Sequence, residues 1–204
     1  MRLPPASIWY CLLFVLLLTA QSQARVIQDM AGRCVHLPDQ VNTVYCSGPG
    51  CLRLTTYLQC SDLVVAVDAL EKKEHAVEAR PYVLAHPEYS QLPLGGEFRG
   101  RDNPELLLSL DPQPQVILKT FPTMGMDPDT LQNKTGIPVV SLYYGDLGQN
   151  RELIHSALML MGQILDCQSR AKEVLAFMED QIAELLARTE SIPLSSQPSV
   201  FVGG

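Results

Sequence analysis

Several chemistries have no support in this sequence. It contains no Cys-x-x-Cys pair, and His36, His75, His86 and His155 are scattered without metal-ligand spacing, so a zinc or iron–sulfur centre is not indicated. No Gly-x-Ser-x-Gly elbow and no His-Glu-x-x-His occurs, and no dinucleotide fingerprint follows the first predicted strand. Carboxylates are plentiful but are not paired at any spacing that marks acid–base catalysis. Basic residues form no cluster and the formal net charge is −7, which argues against nucleic acid and against anionic membrane surfaces as partners. The longest apolar run, 8–18, is too short to span a bilayer comfortably and lacks a stop-transfer flank.

That run has the layout of a targeting segment instead. Arg2 supplies the positive start, and Ser22-Gln23-Ala24 is a small-x-small cleavage site. Cys11 lies inside the apolar stretch, away from any lipoprotein-type box. The pattern predicts a signal peptide over 1–24, export, and a mature chain beginning at Arg25. Taking 24 residues from 204 leaves 180, and losing Arg2 moves the net charge from −7 to −8. That size supports one sizeable core, or one domain and part of a second. Five cysteines remain: Cys34, Cys46, Cys51, Cys60 and Cys167. Export permits disulfides, but an odd number leaves at least one thiol free and the spacing does not settle the pairing.

The stretch 103–118 is the most informative. Asn103 suits a helix N-cap, and Pro104 the first helical position. Glu105 falls in the first turn, facing the positive end of the helix dipole. Leu106, Leu107 and Leu110 give a short apolar face, and Asp111-Pro112 with Pro114 stops the helix. Val116-Ile117-Leu118 is then a continuous apolar run, as in a strand covered on both faces. Upstream, 25–38 is expected to form an antiparallel ribbon around Met30-Ala31-Gly32. A strand over 41–46, a loop Ser47-Gly48-Pro49-Gly50, a helix over 51–60 and a strand over 63–67 make a first βαβ unit. Residues 68–101, rich in charge, proline and glycine, are expected to be one long functional loop. A helix over 128–134 leads through Thr135-Gly136-Ile137-Pro138 to a strand over 139–143. Asn133-Lys134-Thr135 is formally a glycosylation sequon but is read as a plain turn. Apolar residues at three- and four-residue spacing predict helix from Arg151 to Arg188, broken near 166–169. Its Met-rich stripe is read as core packing. After a linker over 192–198, Ser199-Val200-Phe201-Val202 is expected to begin a buried strand running into Gly203-Gly204.

Taken together, the Asn-x-Glu helix start with its Asp-Pro turn and strand, the opening Asp29-x-x-Gly32-Arg33-x-Val35 and the Thr135-to-Val139 turn resemble one family. It is the periplasmic substrate-binding proteins of iron–siderophore, haem and cobalamin ABC importers. The resemblance implies an α/β fold, a parallel β-sheet lobe flanked by helices with a long helical spine, here a truncated form of a two-lobe architecture. Signal peptide 1–24, N-terminal lobe 25–148, spine 149–190, and linker with the first strand of a second lobe 191–204 are the divisions it implies. It further implies a monomeric, periplasmic, non-catalytic protein without resident cofactor or metal. Such a protein captures an iron complex or related metal chelate and delivers it to an inner-membrane permease. Glu105 matches the family residue that pairs with permease arginines.

Ligands of open parallel sheets sit outside the carboxyl ends of the strands, which singles out four loops. Ser47, Gly48, Pro49 and Cys51 follow the first strand, where glycine N–H groups beside a helix start suit an anionic oxygen, or simply make a tight turn. Cys51 at that helix start is a candidate for a lowered thiol pKa, against burial or a disulfide with Cys46 or Cys60. Arg80 and Tyr82 offer charge-assisted bonding and stacking to a carboxylate-bearing chelate, against a solvated charge and half-buried ring. Phe121, with Thr120 and Met124, and the pair Tyr143-Tyr144 offer a flat apolar wall, against ordinary packing. Two rival readings are a periplasmic redox or metal-capture protein acting through Cys46, Cys51 and Cys60, and a truncated product without function.

Overall fold

Strand residues alternate between two apolar environments, and this alternation generates the architecture. In the computed structural model, which describes residues 25–72 and 80–201, a six-stranded sheet is covered by helices on both faces. The targeting segment expected over 1–24 lies outside the described residues. A separate ribbon, β1 (Arg25–Gln28) and β2 (Cys34–Leu37), pairs antiparallel as expected. The chain continues through β3 (Val44–Ser47), α1 (Cys51–Tyr57), β4 (Val64–Asp68), α2 (Pro81–Ala85), β5 (Leu94–Glu97) and β6 (Arg101–Asp102). It then forms α3 (Pro104–Ser109), β7 (Val116–Thr120), α4 (Pro128–Thr135), β8 (Val139–Leu142), α5 (Arg151–Ile164) and α6 (Gln168–Thr189).

The sheet order is β6-β5-β4-β3-β7-β8, with every neighbour parallel except the β5–β6 hairpin. From β3 the chain builds outward through β4 and β5, then returns to place β7 on the other side of β3. The strand order therefore switches direction between β3 and β7. Val44, Cys46, Val116, Leu118, Val140 and Leu142 face one core with α1, α5 and the start of α6. Tyr45, Ile117 and Val139 face the other with Leu107 of α3 and Leu131 of α4.

The ribbon is clamped by its own motif. The buried Asp29 carboxylate accepts from the backbone N–H groups of Ala31 (3.0 Å), Arg33 (2.8 Å) and Ser141 (3.0 Å). Arg33 bonds back to Asp29 at 3.0 Å and reaches the Val139 carbonyl at 3.0 Å, so the ribbon is tied to β8. Asn103 Oδ1 accepts from Leu106 N at 3.1 Å, the cap expected for α3, and Asp127 caps α4 in the same way at 2.9 Å.

Three expectations need correction. The stretch 68–101 is not one loop: within its described residues it contains α2, a 3₁₀ turn Pro87–Gln91, and the sheet strand β5, with β6 beginning at its end. Leu94-Gly95-Gly96-Glu97 has low strand propensity, and the reason for its glycines is tertiary. A Cβ on Gly95 would lie 2.5 Å from the ring of Tyr45, so only glycine lets this strand approach that side chain. The apolar stripe of α6 packs as core only at its start. Ala171 and Val174 are buried, Leu175, Met178 and Ile182 only half-buried, and Leu185 is 57 % exposed. No strand forms over Ser199-Val200-Phe201, and Phe201 is 93 % exposed. No neighbouring strand there satisfies its backbone groups. Val202 lies outside the described residues.

Beneath these elements Lys119, in the middle of the sheet and wholly buried, is held by Asp102 Oδ2 (2.8 Å), Ser47 Oγ (3.1 Å) and the Gly100 carbonyl (3.2 Å). Replacing Lys119 by Met should destabilise the protein by about 3–5 kcal/mol, because Asp102 is left buried and unpaired. The double change Lys119→Met with Asp102→Leu should recover most of that loss. Urea denaturation of the two variants measures it, and equal losses in both would show that the charge of Asp102 is not what matters.

Candidate functional site

The carboxyl ends of β3, β4 and β7 open onto a cleft of about 350 Å³ at the point where the strand order switches. Its lining comes from the β3–α1 loop (Gly48, Pro49, Gly50), the end of β4 (Asp68, Glu71), α2 and its cap (Arg80, Tyr82), and Phe121 with Tyr144. Parallel register puts Ser47 beside Lys119 and Thr120 beside Leu142, so these loops leave the sheet at one level.

Phe121 and Tyr144 stack, with centroids 5.8 Å apart and ring planes inclined by 21°. The Arg53 guanidinium lies 5.1 Å from the centre of the Tyr144 ring, on the wall facing α1. Phe121 has φ of 53°, a left-handed backbone that disfavours bulky side chains. The strain is local to the site, where such conformations concentrate. Gly50, at φ 78°, abuts the Tyr144 ring, and any side chain there would collide with it. Gly48, at φ 84°, lies so close to Thr120 that a Cβ would come within 2.5 Å of the Thr120 carbonyl. Thr120 Oγ1 in turn donates to the Pro49 carbonyl at 2.9 Å. The glycines of this loop are thus demanded by a close turn against β7 and Tyr144.

The opposite wall is charged. Arg80 bonds Glu71 Oε1 at 2.8 Å and the Tyr82 hydroxyl at 3.1 Å, and Tyr82 donates to Glu71 Oε1 at 2.9 Å. Glu71 is only 6 % exposed, and its second oxygen, Oε2, has no hydrogen-bond partner among the described residues. Burial raises the pKa of both Glu71 and Asp68, opposed for Glu71 by the Tyr82 hydrogen bond and the Arg80 charge. Burial, reinforced by the Glu71 charge, likewise pushes the Tyr82 phenol up. A charged ligand therefore meets two arginines and two carboxylates here, in balance.

Of the residues singled out from sequence, Gly48, Pro49, Arg80, Tyr82, Phe121 and Tyr144 line this cleft together. Three others are placed elsewhere. Ser47 is fully buried and serves Lys119. Cys51 is also buried, donating to the Leu118 carbonyl at 3.2 Å. Burial raises its pKa well above the ordinary thiol value, the opposite of an activated thiol. It forms no disulfide with Cys46 or Cys60. Tyr143 is exposed and does not line the cleft. Among the described residues no group of three or more His, Cys, Asp or Glu side chains is placed to hold a metal ion. Glu105 sits exposed at the start of α3, apart from the cleft lining. Sequence reasoning missed Arg53, Asp68, Glu71 and Phe98. Asp68 directly follows a predicted strand and was open to the same rule as the other loops; Arg53, inside a helix, carried no signal.

No model of a known protein family matches the chain, and no curated protein matches it. Solved structures do. A molybdate-bound periplasmic binding protein of Haemophilus influenzae superposes with a TM-score of 0.68 at 19% identity, over 84% of this chain and 56% of that one. A periplasmic solute-binding protein of Veillonella parvula gives 0.68 at 20% identity, over 84% and 50%. A periplasmic heme-binding protein of Pseudomonas aeruginosa gives 0.55 at 22% identity, over 78% and 50%. The fold is that of a periplasmic-binding-protein lobe, and the chain spans about half the length of the structures it matches.

The buried carboxylates give a pH test. Glu71 binds its proton more tightly folded than unfolded, so its contribution to stability falls as pH rises from the ordinary glutamate value of about 4.3 through the raised one. Glu71→Gln removes that dependence. The melting temperature of the variant relative to wild type should therefore improve steadily as pH is raised from about 4. A difference that does not change with pH would show that Glu71 titrates as an exposed glutamate.

Proposed function

We propose that this chain is an extracytoplasmic solute-binding protein that captures an iron complex, a siderophore, haem or a related metal chelate, for an ABC importer. The observation that carries this reading is the stacked Phe121–Tyr144 pair at the switch point of a parallel sheet, faced by paired charges rather than by catalytic groups. Flat rings at a concave, mostly apolar site suit a large planar or aromatic ligand. A small bare oxyanion fits less well, because the partnerless oxygen of Glu71 would repel it. The wall formed by Arg80 and Tyr82 would orient polar groups of the chelate. The protein is non-catalytic in this reading, monomeric, periplasmic after removal of its signal peptide, and passes its cargo to a permease in the inner membrane. Its divisions in this reading are lobe 25–148, spine 149–190 and linker 191–204.

Glu105 is the proposed permease contact. Asn103 and Pro104 hold the helix start, so the carboxylate projects from a fixed, exposed point. The alternative role, complementing the helix dipole, is worth about 0.3–1 kcal/mol.

Calorimetry against ferric siderophores, haem and cobalamin should detect binding of roughly micromolar strength, weakened about tenfold by Phe121→Ala or Tyr144→Ala and also reduced by Arg80→Ala or Tyr82→Ala. Binding that none of these changes affects would place the ligand elsewhere. For docking, Glu105→Arg should leave folding and chelate binding intact but weaken association with the cognate permease in nanodiscs, most at low salt. Indistinguishable association of the wild-type and Glu105→Arg proteins at both low and physiological salt would reduce Glu105 to a helix-start residue.

A further inference from the structure

Cys60 closes the turn that follows α1, and Cys167 is the N-cap residue of α6. They are 107 residues apart in sequence, yet their sulfur atoms lie 3.2 Å from each other, both as free thiols. The other three cysteines among the described residues are differently occupied. Cys34 is exposed on the ribbon, Cys46 Sγ lies 3.1 Å from Thr55 Oγ1, and Cys51 donates to Leu118. A disulfide bond is about 2.05 Å long, so side-chain adjustment of about 1 Å would close the gap.

We propose that Cys60 and Cys167 are a disulfide-forming pair that pins the start of α6 to the lobe. The exchange begins at Cys167, which is half-exposed, whereas Cys60 is 8 % exposed and its thiol is pushed up to about 12, mainly by burial. The Cys167 thiolate attacks a disulfide oxidant, forming a mixed disulfide and releasing one oxidant thiol. The Cys60 sulfur then attacks Cys167 Sγ, expelling the second oxidant thiol. Two electrons and two protons pass from the cysteine pair to the reduced oxidant, which leaves as a dithiol or as two thiols.

The bridge falls at the root of α6. Beyond Cys167 the helix is attached by the buried Ala171 and Val174, by Leu175 and Met178 against the same core, by Arg170 Nε to the Tyr57 carbonyl at 3.0 Å, and by Glu179 to Arg151 and His155. A covalent tie at the N-cap secures that attachment directly. It also closes a loop of more than a hundred residues in the unfolded chain, where cross-links restrict the most conformations.

The test uses the purified chain in a defined glutathione buffer, so it depends neither on ligand binding nor on export. After incubation with oxidised glutathione, free thiols are alkylated and the protein is digested without reduction for mass mapping. A peptide joining Cys60 to Cys167 is expected, with two fewer alkylated thiols than in the reduced protein. Oxidation should raise the melting temperature by at least about 5 °C. Cys167→Ser should abolish that shift and Cys46→Ser should preserve it. If a serine variant fails to fold, the wild-type peptide map decides by itself. Full alkylation after oxidation, glutathione retained on Cys167 without a cross-link, or Cys46 joined to Cys51 or Cys60 would each overturn the proposal.

Discussion

A lysine and an aspartate, both without solvent access, meet at the centre of this lobe, and their pairing constrains everything built around them. Lys119 extends from β7 toward the edge hairpin, where Asp102 of β6 receives it. Two buried charges cost several kcal/mol each to desolvate, and the arrangement is viable only with further hydrogen bonds. Ser47 from β3 and the carbonyl of Gly100 supply them. The pair therefore spans from the middle of the sheet to its edge. It also dictates small residues nearby: a Cβ on Gly100 would lie 2.6 Å from the lysine nitrogen. Met126 N donates to the same Gly100 carbonyl at 2.9 Å, which fastens the loop that begins with Phe121.

The cleft sits directly above this buried layer. Ser47 and Lys119 are the last buried pair of β3 and β7 below the loops, and Gly48 and Phe121 follow within two residues. Rigidity in the floor lets the aromatic wall stay in place although Phe121 has an unfavourable backbone. The charged wall is organised differently. Arg80 is bound to Glu71 and Tyr82, so the arginine that sequence reading cast as a free anion receptor is largely neutralised. In the proposed reading, shape and stacking would recognise the ligand here, with charges that orient more than attract.

The two ends of the molecule are held to very different degrees. The ribbon at 25–37 is locked to β8 through Asp29 and Arg33, a network with bonds in both directions. The lobe holds α6 only as far as Met178 and the Glu179 ion pairs with Arg151 and His155, and Leu185 and Leu186 expose apolar surface beyond them. The Cys60–Cys167 proximity lies at the root of that helix, where a single bond has most leverage on its direction.

Local chemistry made several elements legible in the sequence. The cap at Asn103, the turn Thr135-Gly136-Ile137-Pro138, the ribbon, the break before α6 and the buried run at Val116 each depend on near neighbours in the chain, so their signals survive without a fold. Likewise, the loops at carboxyl ends of parallel strands followed from a topological rule, which is why Gly48, Arg80, Phe121 and Tyr144 were found together. What only the tertiary structure decided depends on distant partners. Leu94-Gly95-Gly96 becomes a strand because Tyr45 needs the space, and Lys119 becomes core because Asp102, with three strands between them in the sheet order, reaches it. Ser47 and Cys51 turn inward for the same reason, since burial under β7 and α1 is not written in a five-residue loop. A sequence records which residues favour a turn or a strand, but the satisfaction of a buried charge is a property of the assembled sheet.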